Sequence, residues 1–130
     1  MKELEFRPLS DSEESTLIKL FEINFIGRET LMQQLPGLLA KQIDENGSLQ
    51  FQVQSAVLSK VKNGPVIEAR YPDANTNETN TAHVNILLHV KDGKISMLEV
   101  FKDDSSRIFR PPTSVSKFEL FTRLPTPPKN

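Results

Sequence analysis

The chain has 130 residues, a formal net charge of −1 from 16 basic and 17 acidic residues, and no cysteine. This length suffices for one domain that buries a core without disulfides or metal. The absence of cysteine excludes disulfides, thiolate catalysis and cysteine-based zinc sites. The near-neutral balance gives no electrostatic footprint for a nucleic-acid partner, so we expect none.

The sequence contains no targeting or catalytic motif. Its start, Met1 to Pro8, lacks the apolar stretch of a signal peptide, and no run approaches the roughly 18 apolar residues of a membrane span. We therefore expect a cytoplasmic protein with no membrane partner. The five glycines are scattered singly, so there is no phosphate loop and no nucleophile elbow. We expect no cofactor and no metal, and an enzymatic role is disfavoured.

Two helices are predicted near the start. Ser10-Asp11-Ser12-Glu13 has the form of a capping box, which satisfies the free amides of a helix start. Gly27 ends this helix, and a second short helix is predicted from Arg28 to Leu35, closed by Pro36-Gly37. The first helix has apolar residues at helical spacing, namely Leu17, Leu20, Phe21 and Phe25.

A hairpin is predicted around Asp44-Glu45-Asn46-Gly47. A type I turn with Gly47 in a bulge pairs Ile43 with Leu49 and, further along, Lys41 with Phe51 and Leu39 with Val53. A two-residue Asn-Gly turn would instead pair Ile43 with Gln50, and the bulged version is favoured because it matches apolar residues. It leaves a row of amides on the opposite, solvated face, namely Gln50, Gln52 and Gln54.

The next stretch holds one ambiguous segment, one strand and one loop. Ser55 to Lys62 either continues the second strand, which we favour, or crosses irregularly before a turn at Asn63-Gly64-Pro65. Val66 to Tyr71 is predicted as a third strand. Pro72 to Thr81 is polar throughout and is predicted to be an exposed, mobile loop. The third strand is expected to place Ile67, Ala69 and Tyr71 on one face.

The strongest local signal is a hairpin between Ala82 and Lys102. Two apolar-rich runs flank Asp92-Gly93, and a type I′ turn needs positive φ at both central positions, which these residues tolerate. One face of the hairpin is then almost wholly apolar. The predicted pairs are Val90 with Ile95, Leu88 with Met97, Ile86 with Glu99, and Val84 with Phe101.

These elements predict an α+β domain, with two N-terminal helices packed on one face of a mainly antiparallel sheet of about five strands. The domain is expected to span residues 1–110. Residues 111–130 form a proline-rich extension in which Phe118, Leu120 and Phe121 could dock a last short element, and the final residues are expected to be frayed.

Four stretches together resemble a known family. They are Phe6-Arg7-Pro8-Leu9, Ile43 to Leu49, Leu87 to Val90 with Asp92-Gly93-Lys94, and Leu98 to Asp104. In order and spacing they resemble a family of small uncharacterised bacterial proteins, a domain of unknown function, from about Phe6 to Ile108. The resemblance implies a bacterial single-domain protein and transfers no catalytic residue.

Glu99 is the sharpest candidate site residue. The predicted register places it on the apolar face, where a carboxylate needs a partner or takes up a proton. The alternatives are a structural pair with Arg28, Arg70 or a backbone amide, or a register one residue off that places Glu99 beside Asn85.

The two histidines, His83 and His89, lie on one face of one strand, about 20 Å apart. They are too distant to share a metal. Each could form half of a site with Asp103 or Ser96, but a strand histidine bonded to a neighbour is the commoner arrangement.

Three functions remain open. The first is a protein-binding module, protective in the manner of bacterial immunity proteins, that uses the glutamine row and loop charges such as Asp73 and Glu78. The second is a small-molecule-binding protein or enzyme with a pocket between helices and sheet around Glu99, with His83 or His89. The third is a subunit that self-associates through a sheet edge.

Overall fold

The computed structural model describes residues 5–73 and 82–128. In these ranges the chain forms an α+β fold with two short helices and one antiparallel sheet of seven strands. The α+β class is confirmed, whereas the predicted sheet of about five strands was too small. The elements are β1 (Arg7–Pro8), α1 (Asp11–Leu20), α2 (Arg28–Met32), β2 (Leu39–Gln42), β3 (Leu49–Gln52), β4 (Asn63–Pro72), β5 (His83–Lys91), β6 (Lys94–Lys102), a 3₁₀ turn (Pro112–Ser114) and β7 (Glu119–Phe121).

The sheet has the strand order β1-β2-β3-β6-β5-β4-β7. Side chains alternate along β5, where every second residue from Val84 to Val90 is buried, as expected for a sheet covered on one face. The buried face packs against the apolar side of α1 and against residues from α2 and the C-terminal segment. The core therefore lies on one side of the sheet.

The start of α1 follows the predicted capping box. Ser10 Oγ accepts a hydrogen bond from Glu13 N (3.2 Å), and Ser10 N donates to Glu13 Oε1 (2.8 Å). Arg7 on β1 also donates to Glu13 Oε1 (2.6 Å), which fastens the edge strand to the helix. The pKa of Glu13 is lowered, chiefly by the hydrogen bond from Arg7. The predicted apolar residues of this region are all buried, namely Leu17, Leu20, Phe21 and Phe25.

The β2–β3 hairpin has a different register from the predicted one. Gln42 pairs with Leu49 and Lys41 with Gln50, so both the bulged and the two-residue turns were wrong. Asp44 Oδ1 accepts hydrogen bonds from Asn46 N (2.9 Å) and Ser48 N (3.0 Å). This carboxylate stabilises a longer loop, because a side chain can replace backbone partners in a turn.

The β5–β6 hairpin has the predicted turn, but its register changes after the first pairs. Val90 faces Ile95 as predicted, whereas His89 faces Met97, so Ser96 is an extra residue on β6. Such a bulge inverts which face the following residues occupy. The predicted pairs beyond it were wrong, and the observed ones are Leu88 with Leu98, Leu87 with Glu99, Ile86 with Val100, Asn85 with Phe101 and Val84 with Lys102.

The segment before β4 forms no strand, so the favoured continuation from Ser55 to Lys62 was wrong. The predicted turn at Asn63-Gly64-Pro65 was also wrong, since these residues begin β4. Their register shifts at Val66. The predicted face of this strand is confirmed, with Ile67, Ala69 and Tyr71 buried.

Asp73 departs from the prediction for the loop after β4. It is 4% exposed and forms an ion pair with Lys102, because backbone amides of the C-terminal segment surround its carboxylate. Pro72, predicted as the first loop residue, ends β4, and residues 74–81 of the predicted loop, with Glu78, lie outside the described residues.

The C-terminal segment contacts several parts of the domain. Tyr71 Oη donates to Arg110 O, Thr122 Oγ1 donates to Val66 O (2.7 Å), and Ile26 N donates to Pro125 O (2.8 Å). These bonds join the helices, β4 and the extension.

Candidate functional site

The face of the sheet that points away from the helices is the candidate functional site. We call it the open face. In the described ranges its central residues are exposed or half-buried, since register places them opposite the buried set. It comprises Gln50 and Gln52 of β3, Met97, Glu99 and Phe101 of β6, His83, Asn85, Leu87 and His89 of β5, Glu68 and Arg70 of β4, and Phe121 of β7.

The centre of the open face holds a hydrogen-bonded pair, His89 and Glu99. His89 Nε2 lies 3.0 Å from Glu99 Oε1, and their side chains are 25% and 42% exposed. The bulge at Ser96 places Glu99 opposite Leu87 on this face rather than on the apolar face that faces the core. The pair therefore lies at the surface, where both groups are accessible to a ligand.

His83 lies near one end of the open face, beside Asp103. His83 N donates to Asp103 Oδ2 (3.1 Å), and Asn85 Nδ2 donates to Asp103 Oδ1 (2.6 Å). The pKa of Asp103 is lowered chiefly by the hydrogen bond from Asn85 and further by that from His83 N. His83 and His89 thus have separate surroundings. In the described residues no group of three or more His, Cys, Asp or Glu is arranged to hold a metal ion.

The glutamine row is only partly gathered by the fold. Gln50 and Gln52 are exposed on β3, and Gln50 pairs with Met97 of β6. Gln54 is exposed but follows the end of β3, beside Gly37. Five of the six residues named from the sequence therefore share the open face, and Gln54 lies outside it.

A depression on the same face was not predicted. It has a volume of about 380 Å³ and is lined by Arg70, Asn85, Leu87 and the rings of Phe101 and Phe121, among others. The two rings are 38% and 42% exposed. The sequence placed Phe101 on the core face, so only the bulge at β6 reveals it as a surface residue.

The helix–sheet pocket proposed around Glu99 has no counterpart in the described residues. The helices cover the opposite face of the sheet, because Glu99 pairs with Leu87 and projects with the open-face residues. A cavity of about 270 Å³ lies elsewhere, between the start of α1, the β2–β3 loop and Pro111 to Thr113.

Comparison with known proteins identifies the family. Residues 6–112 match the family described as Domain of unknown function (DUF6984). The chain belongs to this family. The DUF6984 match confirms that the chain contains a domain of unknown function, with approximately the limits that the sequence predicted. No curated protein and no solved structure matches the chain.

The DUF6984 match contains most of the open face. β2 to β6 lie within residues 6–112, whereas β7 with Phe121 lies beyond it. The central pair His89 and Glu99 thus belongs to the family region. In the described ranges 5–73 and 82–128, no helix has the length and apolar content that a membrane crossing requires.

Proposed function

We propose that the protein is a binding module that docks a protein partner on the open face. The observation that carries this proposal is that a seven-stranded sheet has helices on one face only, while the other presents exposed rings beside polar pairs. Sheets with one solvated face are common. Here, however, aromatic and aliphatic groups lie beside the central pair of His89 and Glu99, so the surface is not all polar.

The composition of the open face is typical of a protein interface. Phe101, Leu87 and Phe121 supply apolar area, and Arg70 lies among them. Interface cores are enriched in aromatic residues and arginine, and a few such residues dominate the binding energy. His89 and Glu99 supply hydrogen-bond donors and acceptors beside these groups, and the two exposed glutamines of β3 suit a polar rim.

A protective role of the kind that immunity proteins have is a narrower form of this proposal. It would require only that the open face cover the functional site of the partner protein. Its support is the surface itself together with a sequence that has no catalytic motif.

Self-association through a sheet edge remains the other interaction proposal. Among the described residues the outermost strands are β1 with two residues and β7 with three. Such short edges provide few backbone groups for pairing, which favours the open face as the interaction surface. A monomer at high concentration would argue against self-association.

The test uses one charge substitution on each side of the sheet. Phe101→Glu changes the open face, and Ile18→Glu, at a side chain 50% exposed on α1, is the matched control. Affinity capture from the native host would identify a partner, and the purified partner would then be titrated by calorimetry. We expect Phe101→Glu to weaken binding by about 30-fold or more, as for a central interface residue.

Thermal unfolding of both variants separates binding from folding. The proposal is supported if Phe101→Glu keeps the melting temperature of the wild type and loses the partner. Replacing Gln50 and Gln52 by Ala should have a smaller effect, because rim residues contribute less. Equal partner affinity of Phe101→Glu and the wild type would place binding elsewhere.

A further inference from the structure

Four lysines meet at the end of the sheet where β5 turns into β6. Lys91 and Lys94 flank the Asp92-Gly93 turn and pair with each other across it. Lys62 O accepts a hydrogen bond from Gly93 N (3.0 Å), and Lys60 is two residues earlier. The segment 58–62 therefore crosses the turn and brings its two lysines beside the other two.

We call the region of these four lysines, residues 58–63 and 90–96, the basic end. Specific hydrogen bonds hold its backbone in place. Ser59 N donates to Gly93 O (2.9 Å), so the crossing segment is bonded to the turn at two points. The buried amide of Gln34 donates to Gly93 O and to Val57 O, each at 2.9 Å. The lysines are thus carried by a fixed backbone.

A cleft opens beside the lysines, where two neighbouring strands separate. β3 and β6 pair only at Leu49 with Leu98 and at Gln50 with Met97. Beyond these pairs a cleft of about 640 Å³ lies between the end of β3 and the start of β6. Its lining includes Lys91 and Lys94 together with four apolar residues, Phe51, Val53, Leu58 and Ile95.

The charge at this end is strongly one-sided. Residues 58–63 and 90–96 contain these four lysines and one acidic residue, Asp92. The whole chain, by contrast, carries a net charge of −1. Within the described residues no ion pair involves any of the four lysines. Unpaired cations around a cleft raise the local concentration of anionic ligands and steer their approach.

We propose that this cleft binds an acidic, extended segment of a partner protein, with an aliphatic side chain set among carboxylates. The carboxylates would pair with Lys91 and Lys94, and the aliphatic group would contact the exposed Leu58 and the half-buried Val53. This inference rests on the proposed protein-binding function, and it specifies the chemistry of the partner. The cleft adjoins the open face at Gln52, so one partner can occupy both.

The shape of the site favours a peptide segment over other anions. A cleft with apolar lining suits side chains of an extended chain, whereas a lipid surface is contacted by convex, protruding groups. Binding of single-stranded nucleic acid relies on accessible aromatic rings, and the ring in this cleft, Phe51, is only 7% exposed.

The test is a display selection of random linear peptides on the full chain. We expect selected peptides to be enriched in Asp and Glu around Leu, Ile or Val. One selected peptide and its Gln/Asn counterpart would then be titrated by fluorescence anisotropy. The test variant is Lys91→Gln with Lys94→Gln, and the matched control is Arg107→Gln with Lys117→Gln, both exposed in the C-terminal segment.

The proposal predicts that the lysine double variant binds the acidic peptide about tenfold more weakly, because two exposed ion pairs are lost. The control variant and the wild type should bind alike, added salt should weaken both, and the Gln/Asn peptide should bind poorly. Selection of uncharged peptides, of none, or of peptides insensitive to the lysine substitutions would overturn the proposal. Lysine-dependent binding of phosphatidylglycerol vesicles without acidic-peptide enrichment would also overturn it.

The outcome also separates this inference from the proposed function. A partner captured through the open face that is lost in Phe101→Glu but binds the lysine double variant normally would leave the protein-binding function standing and refute the acidic-segment site. If acidic peptides bind the cleft while Phe101→Glu binds the partner as the wild type does, the acidic-segment site is supported and docking on the open face is refuted.

Discussion

Lys102 and Asp73 form an ion pair of 2.9 Å whose side chains are 6% and 0% exposed. The carboxylate of Asp73 also accepts hydrogen bonds from Phe109 N (2.9 Å) and Arg110 N (2.7 Å). Lys102 Nζ donates to Arg107 O (3.3 Å) and lies 4.8 Å from the centre of the Phe109 ring. The pair therefore fixes residues 107–110 against the end of β4 and β6.

Removing one member of this pair should destabilise the fold strongly. Asp73→Ala leaves the Lys102 charge buried and unpaired, for which we expect a loss of about 3–5 kcal/mol in the free energy of unfolding. The double variant Asp73→Ala with Lys102→Met should recover part of this loss, because no charge then remains buried. Urea unfolding measures both, with the exposed Asp104→Ala as control. Equal stability of Asp73→Ala and Asp104→Ala would contradict the structural role of the pair.

The pH dependence of stability should report the same carboxylate. Burial alone would raise the pKa of Asp73, but hydrogen bonds from Phe109 N, Lys102 and Arg110 N outweigh burial, and the pKa is lowered. A folded-state pKa below the unfolded value of about 3.9 gives stability that is present above that value and lost as the pH falls through the folded pKa.

We therefore expect the unfolding free energy of the wild type to fall on acidification below about pH 4–5. In the variant Asp73→Asn the fall should be smaller, since this group no longer titrates. Urea titrations at several acidic pH values check the difference. The pKa of Asp103 is also lowered, so the acid dependence of the unfolding free energy is measured for Asp103→Asn as well and compared with that of Asp73→Asn. An unchanged acid dependence in Asp73→Asn would show that other groups dominate.

The local signals in the sequence predicted the elements. The register of the strands, and the face on which a residue lies, depended on single residues that these signals do not identify. The capping box and the Asp92-Gly93 turn were confirmed because each depends on chemistry within a few residues. The place of Glu99 depended on one extra residue, Ser96, which nothing in the apolar pattern marks. A shift of one position exchanges the two faces of a strand.

Long-range contacts account for most of the remaining differences. Asp73 looks like a loop residue because its partners, Lys102 and the amides of Phe109 and Arg110, are 29 to 37 residues away in sequence. β1 and β7 are too short to show an alternating pattern. The candidate site could be predicted in part: the polar strand residues were found from the sequence, whereas the exposure of Phe101 depended on the bulge in β6.

The turn between β5 and β6 should not tolerate a side chain at Gly93. This residue has φ +79°, and an added Cβ would lie 2.9 Å from the backbone oxygen of Ser59. Gly93→Ala should therefore cost about 2 kcal/mol or more, from backbone strain and from displacement of the crossing segment. Gly64→Ala is the matched control, since its φ is +103° but nothing lies within 4 Å. Equal losses of stability in the two variants would mean that the contact with Ser59 contributes nothing.

The contact between β3 and β6 should depend on the hydroxyl of Ser48. Ser48 Oγ accepts a hydrogen bond from Val100 N (2.9 Å), and it lies 3.3 Å from Val100 O. The side chain thus supplies a backbone-like link where the two strands no longer pair. Ser48→Ala would leave a buried amide without this partner, at a cost of about 1–3 kcal/mol. Urea unfolding with the exposed Ser12→Ala as control checks the expectation, and a loss below that of the control would contradict it.

The buried amide of Gln34 should control the order of the basic end. Its Oε1 accepts from Ile95 N (2.9 Å), and its Nε2 donates to Val57 O and Gly93 O. Gln34→Leu puts an apolar side chain of similar size in place of the amide and removes all three hydrogen bonds. The buried backbone groups then lose their partners, at about 1–3 kcal/mol each where no relaxation occurs.

We expect Gln34→Leu to lower the unfolding free energy by at least about 2 kcal/mol, and Gln33→Leu, at the exposed neighbour, to change it little. Hydrogen exchange of the Ile95 and Ser59 amides should accelerate in the first variant alone, because the crossing segment and β6 are joined through this side chain. If exchange at both amides stayed at the wild-type rate, the segment 58–62 would be held by its own bonds to Gly93. The lysines beside the cleft would then keep their positions without Gln34.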